Sequence, residues 1–243
     1  MIQKPVAGPK ERLIDHLINV SNMALKLAKS LNISDAYIIK SLKIAALLHD
    51  IGKAFKIYQD NPSLAEEGKF PGHEILSTVI SEPIMNSIDL SPEERSIVTY
   101  SIISHHQAMS SIYDRMKTLL KFFSCSHEES HLKNILLTMS GHLNMTQKEA
   151  LDVYEQVTEP LLRISEIPIK RVNTRIKSFM NLIEKPLQII DYSDETTLLK
   201  ARICCGILMI ADTYTAIKAR GGKPTSTYRQ MTLRLIDQHL KLH

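Results

Sequence analysis

The sequence predicts an all-α protein that folds as a single domain, and three features indicate this. Apolar residues recur at intervals of three and four positions along most of the chain, whereas strict apolar–polar alternation never extends beyond a few positions. Glycine and proline are sparse, at 8 and 10 of 243 residues, and this argues against a β-sandwich or a long disordered tail. Because a single core can grow to roughly 250 residues, we expect one domain over residues 1–243.

The first third of the chain contains three helical patterns in succession. An apolar stripe over 13–31 predicts the first helix, and a stripe over 38–49 predicts the second, with Ser34 as its N-cap. A polar stretch over 61–72 is bounded by prolines and predicts a loop. A helix over 74–85 follows this loop.

Capping signals mark the starts of several later helices. Ser91 with Glu94, and Thr146 with Glu149, have the spacing of a capping box, in which each side chain bonds to the backbone of the other residue. The last strong helix is predicted to begin near Asp194 and to end at a glycine pair. The intervening segment is predicted to add three or four helices.

Composition argues against a membrane protein and against a secreted one. The longest apolar run, over 203–211, covers about nine residues, whereas roughly 20 are needed to span a bilayer. The N-terminus has no apolar core of the kind that a secretory signal requires. Cys125, Cys204 and Cys205 cannot all pair, and two of them are neighbours. We therefore expect a protein of the reducing cytoplasm, with no membrane partner.

Charge is distributed unevenly along the chain. Residues 170–243 contain 13 Lys and Arg against 6 Asp and Glu, although the whole chain carries a formal charge of only +4. A basic segment suits a phosphate-rich partner such as a nucleic acid. A solvated surface explains the same composition, so both interpretations stay open.

The informative residues are polar side chains on otherwise apolar helical stripes. His16, His49, His105 and Asp212 each occupy a position where leucine would pack better. An ionised aspartate is costly to bury without a partner, and a metal ion is one of the usual partners. A single buried histidine is more often a hydrogen-bonded core residue, but several in one order along the chain favour a metal centre.

Seven side chains qualify as metal ligands, which exceeds the four or so that one ion needs. They are His16, His49, Asp50, His73, His105, His106 and Asp212. Two ions that share Asp50 would use all of them, and paired ions are suited to hydrolysis at phosphorus. Mixed imidazole and carboxylate ligands suit Mn, Fe, Co, Ni and Zn, whereas an all-oxygen set would favour Mg.

The ordered ligands resemble the signature of the HD superfamily of metal-dependent phosphohydrolases: His, then His-Asp, then further His residues, then a late Asp. The match runs from His16 through Leu48-His49-Asp50-Ile51-Gly52-Lys53 to Ala211-Asp212. This resemblance implies an HD-type helical bundle. Its metal-site core would lie in about 12–110 and 194–220, with additional helices over 111–190.

Within that superfamily the chain is most similar to the HD nuclease of type I CRISPR interference, here as a stand-alone subunit. The similarity lies in the run from His49 to Gln59, in Gly72-His73 after the proline-bounded loop, and in the doublet after Ser104. Glu74 departs from many relatives, in which a small residue is expected. The resemblance implies a divalent-metal-dependent DNase of antiviral defence that often also cleaves RNA. It also implies a CRISPR effector complex and a separate helicase as partners, since this chain has no P-loop motif.

The same resemblance implies how the ligands divide between two ions. One ion would be held by His16, His49, Asp50 and Asp212, and the other by Asp50, His73, His105 and His106. Mg or Mn is the expected ion in activity, and Ni, Co, Fe or Zn is compatible with the ligands.

Further candidates concern catalysis and substrate binding. Asp50 and Lys53 are the predicted catalytic residues, with Lys53 neutralising a phosphate oxygen, although a solvated lysine beside Gly52 is an equal alternative. Basic and aromatic residues after Asp212 are suited to steering and stacking a single strand, but basic residues at a helix C-terminus also have a purely structural explanation. These substrate-binding candidates are Lys218, Arg220, Lys223, Tyr228 and Arg229.

Two alternative functions and one rejected motif complete the analysis. The same metal site would serve a phosphohydrolase of mononucleotides, and a degenerate domain would serve as a binding scaffold. The segment from His127 to His131 matches the H-E-x-x-H pattern of zinc proteases, but its surroundings are too polar for a buried metal-binding helix. We interpret it as the polar start of a helix.

Overall fold

The computed structural model of this chain is built almost entirely of α-helices, which confirms the all-α prediction. It describes residues 5–61, 63–64, 70–106, 111–191, 193–221 and 226–240. The helices are Leu13–Ser30 (α1), Ala36–Leu48 (α2), Lys56–Gln59 (α3), His73–Ser87 (α4), Pro92–Ser104 (α5), Ile112–Leu120 (α6), Ser130–Met139 (α7), Gln147–Glu166 (α8), Val172–Asp191 (α9), Glu195–Arg220 (α10) and Thr227–Leu240 (α11). Short 3₁₀ helices cover Ile51–Ala54 and Ser140–Leu143, and two short strands cover Val6–Gly8 (β1) and Glu11–Arg12 (β2).

Four helices, α1, α2, α5 and α10, pack against one another and form the centre of the bundle. Leu17, Leu42, Ile97 and Leu208 each contribute a fully buried side chain to the shared core. Helices α6 to α9 form a second group beside α4 and α5, and α11 packs on α1 and α10. No helix in the described part of the chain is both long and apolar enough to cross a membrane.

The 3₁₀ helix after α2 packs directly on the start of α4, and Gly52 makes this approach close. A Cβ at Gly52 would overlap the carbonyl oxygen of His73 and the backbone nitrogen of Ser77. The Gly52 N–H instead donates to the Ser77 hydroxyl at 2.9 Å. At the other side, Gly72 adopts a left-handed conformation with φ of 76° just before α4. The two glycines thereby bring His73 next to the end of α2.

The helix caps agree with the sequence at three of the four predicted starts. Both capping boxes form, at Ser91 and at Thr146, and Asp194 caps α10 through the Thr197 N–H. The prediction for α2 was wrong by one residue: Asp35, rather than Ser34, accepts the hydrogen bond from the Ile38 N–H.

The antiparallel pairing of β1 with β2, which we call the N-terminal hairpin, is the one strand pair that the described residues form. It was not anticipated, since it involves only five residues. The buried apolar residues form one cluster from Ala7 to Ile236. A single domain over residues 1–243 stays a prediction.

Candidate metal centre

Seven polar side chains meet where the ends of several helices converge, and they are the seven that the sequence predicted as ligands. His16 lies in the first turn of α1, His49 and Asp50 follow α2, His73 begins α4, His105 and His106 follow α5, and Asp212 lies within α10. Six of the seven come from helix ends, where the chain is free to change direction and neighbouring residues can face one point.

The seven side chains form two groups that share one carboxylate. His16, His49, Asp50 and Asp212 form the first ligand group, and Asp50, His73, His105 and His106 form the second. Within each group the ligand atoms all lie within 4.8 Å of one another. This division is the one that the family resemblance implied.

Asp50 lies between the two groups and turns one oxygen toward each. Its Oδ2 is 3.2 Å from Nε2 of His16 and 3.4 Å from Nε2 of His49. Its Oδ1 is 2.8 Å from Nε2 of His73 and 3.7 Å from Nε2 of His105. Asp212 Oδ1 lies 3.1 Å from Nε2 of His16 and completes the first group. The carboxylate of Asp50 therefore belongs to both groups, with one oxygen turned toward each.

Three of the histidines are oriented by their own backbone. The Nδ1 atoms of His49, His73 and His105 lie 2.9, 2.5 and 2.6 Å from the carbonyl oxygen of the residue three positions earlier. A hydrogen bond at Nδ1 fixes the ring and leaves Nε2 as the free ligand atom. In all three, Nε2 is the atom that faces Asp50.

The electrostatic surroundings keep both carboxylates ionised. Burial alone raises the pKa of Asp50, but the Lys53 ammonium and the neighbouring imidazoles of His49 and His73 outweigh burial and hold this pKa well below its usual value. Asp212 behaves in the same way: burial raises its pKa, and the neighbouring imidazoles of His16 and His49 lower it further than burial raises it. Both carboxylates at the centre are therefore negatively charged and can bind a cation.

The histidines differ in the direction of their pKa shifts. Burial, with the charges of His105 and His73, lowers the pKa of His106 to about 2, so this ring is neutral and able to bind a cation. Burial also lowers the pKa of His49. In His16 burial opposes protonation, but Asp212 and two other neighbouring carboxylates hold its pKa well above the usual value.

Unpaired atoms at the centre favour a bound cation. Nε2 of His16, His49 and His105, together with Oδ1 of Asp50, are buried and make no hydrogen bond. Buried polar atoms are normally paired, and a cluster of unpaired ones calls for an explanation such as an ion. Imidazole nitrogens and carboxylate oxygens are the ligands that divalent Mn, Fe, Co, Ni and Zn accept. The residues present thus fit divalent cations.

Lys53 lies inside the centre and is not a solvated side chain. Only 8% of the residue is exposed, and its Nζ lies 2.5 Å from Asp50 Oδ2. The same ammonium is 3.5 Å from the carbonyl oxygen of Ala7 and 5.0 Å from the centroid of the Phe70 ring. The solvated alternative was therefore wrong, and a catalytic role stays a prediction.

The substrate-binding candidates are less closely grouped. The Arg220 guanidinium lies against Gly8 of the N-terminal hairpin. Lys218 instead places its Nζ 5.5 Å from the ring centroid of Tyr214. Tyr228 and Arg229 are exposed on α11. Lys223 lies outside the described residues. Of this set, the structure brings Arg220 to the hairpin, and the binding role of all five stays a prediction.

Two charged contacts near the ligands were not predicted. Glu11 of β2 accepts a hydrogen bond from Nδ1 of His16 at 2.9 Å. Glu74 is buried and pairs with Nη1 of Arg115 at 2.8 Å. The sequence offered a signal for Glu74, which departs from the family pattern, but none for Glu11.

The segment that matches the zinc-protease pattern has a structural role. Glu129 is buried and accepts hydrogen bonds from the backbone N–H groups of Lys56 and Ser126, at 2.9 and 3.0 Å. The segment immediately precedes and begins α7, as expected for a helix start.

Comparison with known proteins agrees with this geometry at the level of the family. No curated protein and no solved structure matches the chain. The family model for the HD domain matches residues 13–217 of the sequence, and this range includes all seven converging side chains. Proteins of this family are typically metal-dependent hydrolases, and their chemistry suits the clustered histidines and aspartates found here. The chain belongs to the HD domain family.

Proposed function

We propose that this protein is a divalent-metal-dependent nuclease that hydrolyses phosphodiester bonds of single-stranded DNA or RNA through two bound ions. The observation that carries the proposal is the shared carboxylate of Asp50, with Oδ2 facing the first ligand group and Oδ1 the second. Such paired cations supply Lewis acidity and an activated water for attack at phosphorus. No protein nucleophile is needed.

The exposure of the ligands supports approach of the substrate from one side. His49 and Asp50 are at most 1% exposed and form the floor of the centre. His106 is only partly buried, and the Asp212 side chain is 19% exposed. A phosphodiester would therefore reach the two groups between these residues. In this proposal Lys53, which pairs with Asp50, neutralises a phosphate oxygen beside the first group.

A polymer substrate is supported by the position of Arg220. Its guanidinium lies on the N-terminal hairpin, and the carbonyl of Ala7 in that hairpin accepts from Lys53. A cation outside the centre can bind a phosphate of the strand other than the one that is cleaved. The expected partners, a separate helicase and a CRISPR effector complex, rest on the family resemblance.

A cleavage panel tests the proposal and separates its alternatives. The purified protein is incubated with circular and linear single-stranded DNA, double-stranded DNA, RNA and dNTPs, each with Mg, Mn, Co, Ni or Zn. We expect cleavage of the single strands, and its loss in folded His49→Ala and Asp50→Ala variants. Turnover of dNTPs alone would instead indicate a mononucleotide phosphohydrolase. Absence of both activity and metal binding would indicate a scaffold.

A second comparison tests whether the substrate is a polymer. Arg220→Ala should reduce cleavage of single-stranded DNA more than hydrolysis of bis(p-nitrophenyl) phosphate, a small diester with one phosphate. Arg163→Ala is the matched control, because Arg163 is exposed on α8 and pairs only with Glu159 among the contacts of the described residues. Equal effects of Arg220→Ala on both substrates would contradict a role in holding a strand.

A further inference from the structure

Among the histidines of the first ligand group, His16 has a different partner. Nδ1 of His49 bonds to a neutral carbonyl oxygen of the preceding helix. His16 instead bonds to a carboxylate, Oε1 of Glu11, at 2.9 Å. Glu11 is 5% exposed, and its second oxygen, Oε2, is buried without a hydrogen bond. Burying a carboxylate with one oxygen unpaired costs free energy, and this indicates that Glu11 has a specific role.

Glu11 belongs to the N-terminal hairpin, which is fastened to the rest of the protein beside the centre. The Gln59 side chain accepts from the Val6 N–H at 2.8 Å and donates to the Val6 carbonyl at 3.0 Å. The same Gln59 amide donates to the carbonyl oxygen of Lys53 at 2.6 Å. Through Gln59, β1 is held against the segment that follows Asp50. The hairpin therefore presents Glu11 in a fixed position.

A carboxylate at Nδ1 changes what the ring can do at Nε2. It fixes the tautomer with the proton on Nδ1, as a carbonyl does, and its negative charge also makes Nε2 a stronger donor to a cation. His16 is a member of the first ligand group only. The effect of Glu11 should accordingly reach one of the two groups and leave the other unchanged.

We propose that Glu11 is a positioning residue that orients and strengthens His16, so that the N-terminal hairpin sets the affinity of the first ligand group for its cation. This inference rests on the proposed function, because it assumes that the first group binds a divalent ion. Docking of the hairpin and binding of the ion then favour each other, since a coupling between two equilibria acts equally in both directions.

Isothermal titration calorimetry with Mn²⁺ alone tests the proposal in two variant backgrounds. His106→Ala removes a ligand of the second group, so that the first group is measured. In this background Glu11→Ala should weaken Mn²⁺ binding by about 10- to 100-fold, the usual loss for a partner of a ligating histidine. Glu11→Gln keeps an acceptor without the charge and should show a smaller loss.

The second background separates positioning from general damage to the fold. His16→Ala removes the residue through which Glu11 acts, so that adding Glu11→Ala should leave Mn²⁺ binding by the second group within about twofold. Glu129→Ala is the matched control, a buried glutamate that bonds to Lys56 and Ser126. It should leave Mn²⁺ affinity unchanged in the His106→Ala background.

Hydrogen exchange gives an independent readout. Mn²⁺ should slow amide exchange over residues 6–12 in the wild-type protein and do so less in Glu11→Ala. Equal losses of affinity from Glu11→Ala in both backgrounds, or no loss in either, would overturn the proposal while leaving two-metal hydrolysis intact. If the wild-type protein binds no Mn²⁺, both this inference and the proposed function fail.

Discussion

The buried ion pair between Glu74 and Arg115 yields a quantitative prediction about stability. Glu74 is 1% exposed and follows His73 at the start of α4, whereas Arg115 is 9% exposed and lies on α6. Their side chains meet at 2.8 Å, and Nη2 of Arg115 is 3.5 Å from the carbonyl oxygen of Ile103. The pair thus joins three helices beside the second ligand group. We expect that losing either partner destabilises the protein strongly.

The magnitude follows from the burial of both charges. Two unit charges about 4 Å apart attract by about 4 kcal/mol at an effective dielectric constant of about 20. Arg115→Met removes the arginine partner of the buried Glu74 carboxylate, for which the cost is about 3–5 kcal/mol. The double variant Glu74→Leu with Arg115→Met leaves no buried charge, and such replacements are often neutral or stabilising. We therefore expect the double variant to be more stable than Arg115→Met.

Urea denaturation followed by circular dichroism measures these free energies of unfolding. The four proteins of the cycle are the wild type, Arg115→Met, Glu74→Leu and the double variant. Their coupling energy isolates the pair from the packing of each side chain. Additive losses, with the double variant least stable of the four, would show that the ion pair has no special role and would refute the reasoning.

Four further outcomes are expected. Asp50→Asn should weaken Mn²⁺ binding by more than about 100-fold at both ligand groups in calorimetry, because a direct ligand of each is altered. Gly52→Ala should cost about 1–3 kcal/mol in urea denaturation and weaken only the second group, because a Cβ there overlaps the His73 carbonyl. Ser91→Ala should cost about 1 kcal/mol through loss of its cap and leave Mn²⁺ affinity unchanged. Because the pKa of His16 is raised, its proton stabilises the metal-free fold at low pH, and this stabilisation is lost as the pH rises. A cation must replace that proton, so the increase in Tm caused by Mn²⁺ should grow from about pH 6 to about pH 8.

The sequence was sufficient to predict the helices and to identify the seven side chains that converge, because both have local signals. The stripe that ends at His49 identifies a helix and a polar residue at its end in one pattern. The capping box at Ser91 marks the start of α5, and the His105-His106 doublet comes directly after the last residue of this helix. Asp212 was recognisable as a charge on a buried helical face. Periodicity therefore identified polar residues on buried helical faces, and the resemblance to the HD superfamily implied that they meet.

The contacts that the sequence did not reveal are those made between distant segments. Glu74 and Arg115 are 41 residues apart, and neither position has a pattern that indicates a partner. The N-terminal hairpin depends on Gln59, which is 53 residues from Val6. Pairing of this kind depends on how helices are arranged in space, and helical periodicity carries no information about it. Lys53 was misjudged as equally suited to solvent for the same reason.

The ends of helices also explain why so many ligands could be buried at modest cost. The last carbonyl oxygens of a helix lack a partner within the helix. His49 and His105 follow the last residues of α2 and α5, and their Nδ1 atoms bond to such carbonyls. One hydrogen bond thereby satisfies the helix end and directs Nε2 toward Asp50. His16 lies in the first turn of α1, where the backbone carbonyls are used within the helix. It therefore requires an acceptor from elsewhere in the chain, and Glu11 of the hairpin provides it.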